Sequence, residues 1–180
     1  MVSGGSTPSV PENALSKGKA MTIKVGDKVP SVKLKHMTAD GVKDITTDEL
    51  FKGKKVVLFA LPGAFTPTCS AKHVPGFVQN FSELKKKGVD TIACLSVNDA
   101  FVMGAWGKDQ KVEDKVLMLA DGNGDFTKAV DLELDARGNG LGIRSKRYAM
   151  VVDNGVVKTI SVEAPGAFEV SSAEAVLKAL

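Results

Sequence analysis

The chain has 180 residues, a length that supports one domain with a real hydrophobic core. Hydrophobic residues make up 43% and charged residues 25%, as in ordinary soluble globular proteins, and no apolar run approaches the roughly 18 residues that a membrane helix needs. With 24 Lys and Arg against 21 Asp and Glu, the net charge is +3, too mild and too scattered to argue for nucleic acid.

Residues 1–20 are rich in Gly, Ser and Pro and almost lack large apolar side chains. They read as a disordered leader or an appended remnant. They hold no apolar core for a secretory signal, and the absence of Arg weakens a mitochondrial-transit reading. The folded domain is expected over residues 21–180, with Met21 as a candidate natural start.

Residues 25–34, which include Pro30, read as an edge strand or an extended lead-in. Asp40-Gly41 is a hairpin turn signal. Thr47-Asp48-Glu49 precedes a short helix ending near Gly53. Residues 56–61 (VVLFAL) form a continuous apolar run, the pattern of a strand buried on both faces. Residues 75–87 read as one helix, with Phe77, Val78, Phe81 and Leu84 at helical spacing. Lys85, Lys86 and Lys87 suit its negative end, and Gly88 suits the stop.

Residues 91–97 are a second buried strand. Asn98 or Asp99 can cap a helix carrying Phe101, Val102 and Trp106. A third strand is expected at 116–120 and a short helix at 125–130. Strands at 148–152 and 156–161 flank Asn154-Gly155, a strong hairpin signal. Ser171-Ser172-Ala173-Glu174 resembles a capping box opening a last helix. After the lead-in the order is β-α-β-α-β-α-β-β-α. This predicts an α/β fold with a mixed central sheet and helices on both faces, the order of a thioredoxin-like sandwich.

The chemically informative stretch is Pro62-Gly63-Ala64-Phe65-Thr66-Pro67-Thr68-Cys69, directly after the buried strand. Sites in such sheets lie beyond the carboxyl ends of strands. Thr66 is a good N-cap, Pro67 then takes the first helical position, and Cys69 falls in the first turn. Free N–H groups and the helix dipole favour negative charge there. Such sites bring cysteine pKa values to about 3.5–7.5 from roughly 8.5, and the thiolate is the nucleophile. The Thr66 hydroxyl lies in the same turn, within reach of the sulfur or of a bound oxygen. The plain alternative is that Cys69 is a small packed hydrophobe.

The run PGAFTPTCS, followed by Lys72-His73-Val74-Pro75-Gly76, resembles the peroxidatic motif of the peroxiredoxins, and more closely their type II (peroxiredoxin-5-like) members from plants and bacteria. The resemblance spans residues 21–180. It takes in Ser96-Val97-Asn98-Asp99, Phe101-Val102-Met103, Ala105-Trp106 and Arg144-Ser145-Lys146-Arg147-Tyr148.

It implies a thiol-dependent peroxidase that reduces hydrogen peroxide and alkyl hydroperoxides through a Cys69 sulfenic acid. It also implies that Thr66 holds the peroxide, that Pro62 shields the thiolate and that Arg147 stabilises thiolate and peroxide. On its own residue pattern, Arg147 does not stand out from Arg144. No metal, flavin or nicotinamide cofactor is expected. Members of the family commonly form homodimers through the active-site end, so a homodimer is expected here.

Cys94, inside the strand at 91–97, is either a packed core thiol or a resolving cysteine. A mid-strand residue would have to leave its ladder to pair with Cys69, since a disulfide needs Cα atoms within about 7 Å. The two-cysteine spacing resembles plant type II members. The further cysteine near the C-terminus of mammalian members is missing from Phe168-Glu169-Val170-Ser171-Ser172. An external thiol is therefore expected to regenerate Cys69: glutaredoxin with glutathione, or thioredoxin. Two cysteines suit a reducing compartment, cytoplasmic or, after loss of a leader, organellar.

His73, four residues after Cys69, shares its helix face and is expected in a structural or interface role rather than as a general base. His36 reads as a surface residue, Trp106 as core, and Lys85–Lys87 as a solvated helix end. The Asn80-Phe81-Ser82 glycosylation triplet is discounted because it falls on a predicted helix. Two other functions compete with the peroxidase: a redox relay using the same oxidised Cys69, and a Cys–His hydrolase.

Overall fold

Lys55–Ala60, β3, is an inner strand of the computed structural model, which describes residues 21–180. The leader expected at 1–20 lies outside the described residues. Val57 and Phe59 of β3, with Leu61 just beyond it, face one apolar cluster; Val56, Leu58 and Ala60 face another. This two-sided burial is what the unbroken VVLFAL run requires.

The main sheet also contains β1 (Lys33–Thr38), β2 (Gly41–Thr46), β4 (Thr91–Ser96), β5 (Leu117–Ala120), β8 (Tyr148–Asp153) and β9 (Val156–Val162). Its spatial order is β2-β1-β5-β4-β3-β8-β9. β3, β4 and β5 run parallel, while β1 and β8 flank them antiparallel. The sheet is therefore mixed, as expected. The β8–β9 turn has both Asn154 (φ 47°) and Gly155 (φ 80°) in the left-handed region, the geometry an Asn-Gly hairpin supplies.

Six α-helices cover the two faces: α1 (Thr47–Phe51), α2 (Val74–Gln79), α3 (Phe81–Lys86), α4 (Ala100–Asp109), α5 (Asp125–Ala129) and α6 (Ala173–Ala179). Phe77, Leu84, Met103, Trp106 and Val176 pack on the Phe59 side; Leu50, Phe51, Phe126 and Val130 pack on the Leu58 side. Helices thus lie on both faces of a thioredoxin-like sheet.

Several boundaries differ from the sequence expectations. Of the lead-in, only Lys28 pairs outside β1, in a single bridge to Val156. Helix α1 takes in Thr47 and is capped by the Thr46 hydroxyl, which accepts from Glu49 N–H at 3.2 Å. The helix expected over 75–87 is two helices. The Asn80 amide donates to the Gly76 carbonyl at 2.8 Å, a side-chain bond that competes with the helical ladder at the break.

The path into α2 begins with helical Pro67 and Thr68 and passes through a π-helical segment, Cys69–His73. Val74 N–H reaches back to the Cys69 carbonyl there. Pro75 has no N–H to continue the ordinary ladder, which accounts for a register change just before it. The last helix is capped by Ser172, whose hydroxyl accepts from Ala175 N–H at 3.1 Å; the expected box from Ser171 to Glu174 is shifted by one residue. The short hairpin β6 (Glu133–Asp135) with β7 (Ile143–Ser145) had no sequence signal, because three-residue strands are too short to show a period.

Candidate active site

The segment leaving β3 is held from three sides. Ala64 N–H donates to Asn98 Oδ1 at 2.9 Å, and Ser96 Oγ donates to the same oxygen at 2.6 Å. Arg144 Nη1 donates to the Pro62 carbonyl at 3.3 Å, while its Nε donates to the Leu141 carbonyl at 2.8 Å. Gly63 leaves room for this arginine: a Cβ there would sit 2.9 Å from Arg144 Nη1, and the guanidinium would have to shift. Phe65 adopts φ 62°, a strained conformation for a bulky residue, worth about 1–3 kcal/mol. The loop is therefore clamped, and its strain is carried by surrounding contacts.

Thr66 sits at the helix start as expected, with its carbonyl accepting from Ser70 N–H at 3.0 Å. Its hydroxyl does not touch the sulfur. It donates to the Gly63 carbonyl at 2.7 Å, which leaves the oxygen lone pairs as acceptors. Trp106, buried as expected, donates Nε1–H to Ser70 Oγ at 3.0 Å and pins the same turn.

Cys69 is wholly buried, and its sulfur accepts from Arg147 Nη2 at 3.1 Å. Arg147, which reaches the sulfur, is itself only partly buried. A guanidinium at this distance is a cationic donor aimed at the sulfur. The two arginines are thus separated by position: Arg147 binds the sulfur, and Arg144 binds the Pro62 backbone.

The other face of the Arg147 guanidinium meets His73, with Nη1 2.8 Å from Nδ1. Arginine can only donate, so Nδ1 is the acceptor and the proton sits on Nε2. Nε2–H then donates to the Ser171 carbonyl at 2.9 Å. Burial first, and the Arg147 charge second, push the His73 pKa down to about 3. The ring packs against Phe59 at 4.9 Å and edge-on to Phe168 at 5.1 Å. His73 is therefore a neutral, fully engaged ring, and neither nitrogen is available to take a proton from Cys69. That removes the base a Cys–His hydrolase would need. The i,i+4 spacing showed that the two residues share a face, but nothing local revealed that an arginine lies between them.

Cys94 stands in β4 between Phe59 of β3 and Met118 of β5. It packs in the same cluster as Cys69, and both thiols are free. Burial, then the nearby Cys69, push its thiol pKa well up, against a smaller downward pull from Arg147. Among the described residues no cluster of three or more His, Cys, Asp or Glu could hold a metal. No helix among the described residues is long and apolar enough to cross a membrane. A cavity of about 950 Å³ opens near Thr91, Ile92, Leu117 and Met118, at the opposite strand ends from Cys69. It contains no thiol, so the donors around Cys69 mark the site rather than the larger volume.

Comparison with known proteins identifies the family. The Redoxin family model matches residues 24–177. Peroxiredoxin-2E, chloroplastic, from Arabidopsis thaliana is 56% identical, with 88% of this chain and 70% of that protein covered. Peroxiredoxin-2C of the same plant is 50% identical, with 88% and 98% covered. The crystal structure of reduced Prx3 in complex with hydrogen peroxide, from Vibrio vulnificus, superposes with a TM-score of 0.85 at 56% identity, covering 88% of this chain and 99% of that one. The family model spans the helix start that bears Cys69, and on these matches the chain belongs to the peroxiredoxins, with the activity of a thiol-dependent peroxidase.

Proposed function

We propose that Cys69 is the peroxidatic thiolate, that hydrogen peroxide and alkyl hydroperoxides are its substrates, and that glutaredoxin with glutathione, or thioredoxin, reduces it. The observation that carries the reading is the 3.1 Å bond from Arg147 Nη2 to Cys69 Sγ. The thiolate attacks the terminal oxygen of R–O–O–H. An S–O bond forms, the O–O bond breaks, and RO⁻ leaves to take a proton from water. The guanidinium N–H groups, fixed before the reaction, stabilise charge as it moves onto the oxygens.

In this reading Thr66 accepts a hydrogen bond from the hydroperoxide O–H on its free lone pairs, since its own proton is committed to Gly63. Pro62 covers the sulfur from solvent. An external thiol then condenses with the Cys69 sulfenic acid, releasing water and leaving a mixed disulfide that a second thiol reduces. Cys94 takes no part, because its strand pairing and raised pKa keep it a buried thiol. The exposed rings of Phe65 and Phe101, 54% and 70% accessible, form the apolar surface for a homodimer at this end of the molecule. The chloroplastic relative supports an organellar location as an alternative to a cytoplasmic one.

The test is stopped-flow reaction with one equivalent of hydrogen peroxide, followed by mass spectrometry of both cysteines. Cys69 gains one oxygen in the native protein, and Cys69→Ser consumes no peroxide. Substantial residual turnover in Cys69→Ser refutes the assignment.

A further inference from the structure

Beyond the residues at the sulfur, one buried carboxylate is connected to them by an unbroken line of hydrogen bonds. Glu163 follows β9 and is 7% exposed. Its Oε1 accepts from Glu169 N–H at 2.8 Å, from Ser171 N–H at 2.8 Å and from Val170 N–H; Oε2 accepts from Glu169 N–H at 2.9 Å. Three successive amides of an irregular segment thus converge on one carboxylate. Its own N–H donates to the Arg147 carbonyl at 2.9 Å, continuing the β8–β9 pairing.

The segment so gathered is the one that holds His73. The Ser171 carbonyl accepts from His73 Nε2–H at 2.9 Å, and the Phe168 ring lies against His73 at 5.1 Å and beneath the Arg147 guanidinium at 5.7 Å. From there the line runs through His73 Nδ1 and Arg147 Nη1 at 2.8 Å to the sulfur at 3.1 Å.

We propose that Glu163 is a positioning residue for the reaction at Cys69, acting through Ser171 and His73 on the Arg147 guanidinium. The physical reason is geometric. Arg147 has rotatable bonds along its whole side chain, and a thiolate alone fixes one of its nitrogens. The second fixed point is His73 Nδ1, whose position is held by the partner of Nε2–H on the other side of the ring. That partner is a carbonyl on a segment with no helix or strand to hold it. The carboxylate supplies the missing constraint, and charge-assisted bonds to amides are about twice as strong as neutral ones. Burial pushes the Glu163 carboxyl up, but the amides of Glu169, Ser171 and Val170 outweigh it and hold the group below the usual carboxylate range. The side chain is therefore ionised where the enzyme works.

This inference rests on the proposed role of Cys69, and its test separates the two. The readouts are the rate of the hydrogen peroxide step and the pH profile of Cys69 alkylation, each on protein shown folded by circular dichroism. For Glu163→Ala, the peroxide step slows about tenfold and the alkylation profile moves up by about one pH unit. Glu163→Gln keeps an oxygen for the three amides but loses the charge, and it slows the step about threefold. In a His73→Phe background the further effect of Glu163→Ala falls below about twofold, because the line is already cut.

Native protein whose Cys69 does not react with peroxide overturns the proposed function. Reactive native protein together with a folded Glu163→Ala of unchanged rate and profile overturns only the role of Glu163. So does an undiminished loss in the His73→Phe background. Should Glu163→Ala not fold, Glu163→Gln with native rate and profile overturns it equally.

Discussion

Arg147 donates to His73, and not the reverse: Nη1 lies 2.8 Å from the unprotonated Nδ1. A buried histidine beside a cysteine suggests a base, yet here the guanidinium takes the only lone pair of the ring. The same guanidinium then places its second nitrogen on Cys69. The imidazole orients the cation, and the cation serves the thiolate.

Arg147→Ala is expected to slow the reaction of Cys69 with hydrogen peroxide by about 10²-fold or more, the scale of losing one preorganised donor. Its alkylation profile moves to higher pH. Arg144→Ala has a smaller effect, since that side chain holds only backbone carbonyls. Stopped-flow rates of both variants decide it; a larger loss for Arg144→Ala would exchange their roles.

His73 predicts a pH dependence of stability. Its folded pKa, about 3, lies below the ordinary 6.5, so the unfolded chain binds its proton first as pH falls. The stability this neutral ring contributes is complete above about pH 6.5 and declines as pH falls from there toward about 3. Thermal melts between pH 7 and 5 should show a falling Tm in the native protein. His73→Gln, which cannot titrate, should flatten that slope; an equal slope would place its origin elsewhere.

Cys94→Ser should keep turnover with glutaredoxin and glutathione. The new hydroxyl enters an apolar core, so the variant should be less stable by about 1–3 kcal/mol. A folded Cys94→Ser that is oxidised once and never regenerated would instead make Cys94 the resolving thiol.

Gly104 of α4 faces β1 so closely that an added Cβ would meet Met37 Cβ at 2.8 Å and Cγ at 2.9 Å. Gly104→Ala should therefore destabilise by about 1–3 kcal/mol through overpacking. The peroxide rate of the folded protein should fall far less than for Arg147→Ala, because the added Cβ meets only Met37. Chemical denaturation paired with single-turnover kinetics checks both halves.

The exposed Phe101 ring offers the test of assembly. Phe101→Glu places a charge on the proposed dimer surface and should shift sedimentation from dimer to monomer at micromolar protein. A native protein that already sediments as a monomer would end the dimer proposal.

The sequence by itself determined what depends on near neighbours. An unbroken VVLFAL run announced a strand buried on both faces, Thr66-Pro67 announced the helix start that puts Cys69 in its first turn, and Asn154-Gly155 announced the hairpin. Each rests on side-chain period, capping or turn chemistry within a few residues. Tertiary structure alone decided the partners of the sulfur. His73 and Arg147 are 74 residues apart, Cys69 and Arg147 are 78 apart, and His73 and Ser171 are 98 apart. No local pattern distinguishes Arg147 from Arg144, or shows that Glu163 gathers the amides behind His73. Those relationships exist only once the parallel strands and the β8–β9 hairpin bring distant segments together. A hydrogen bond is set by positions in space, and chain folding brings those positions within reach.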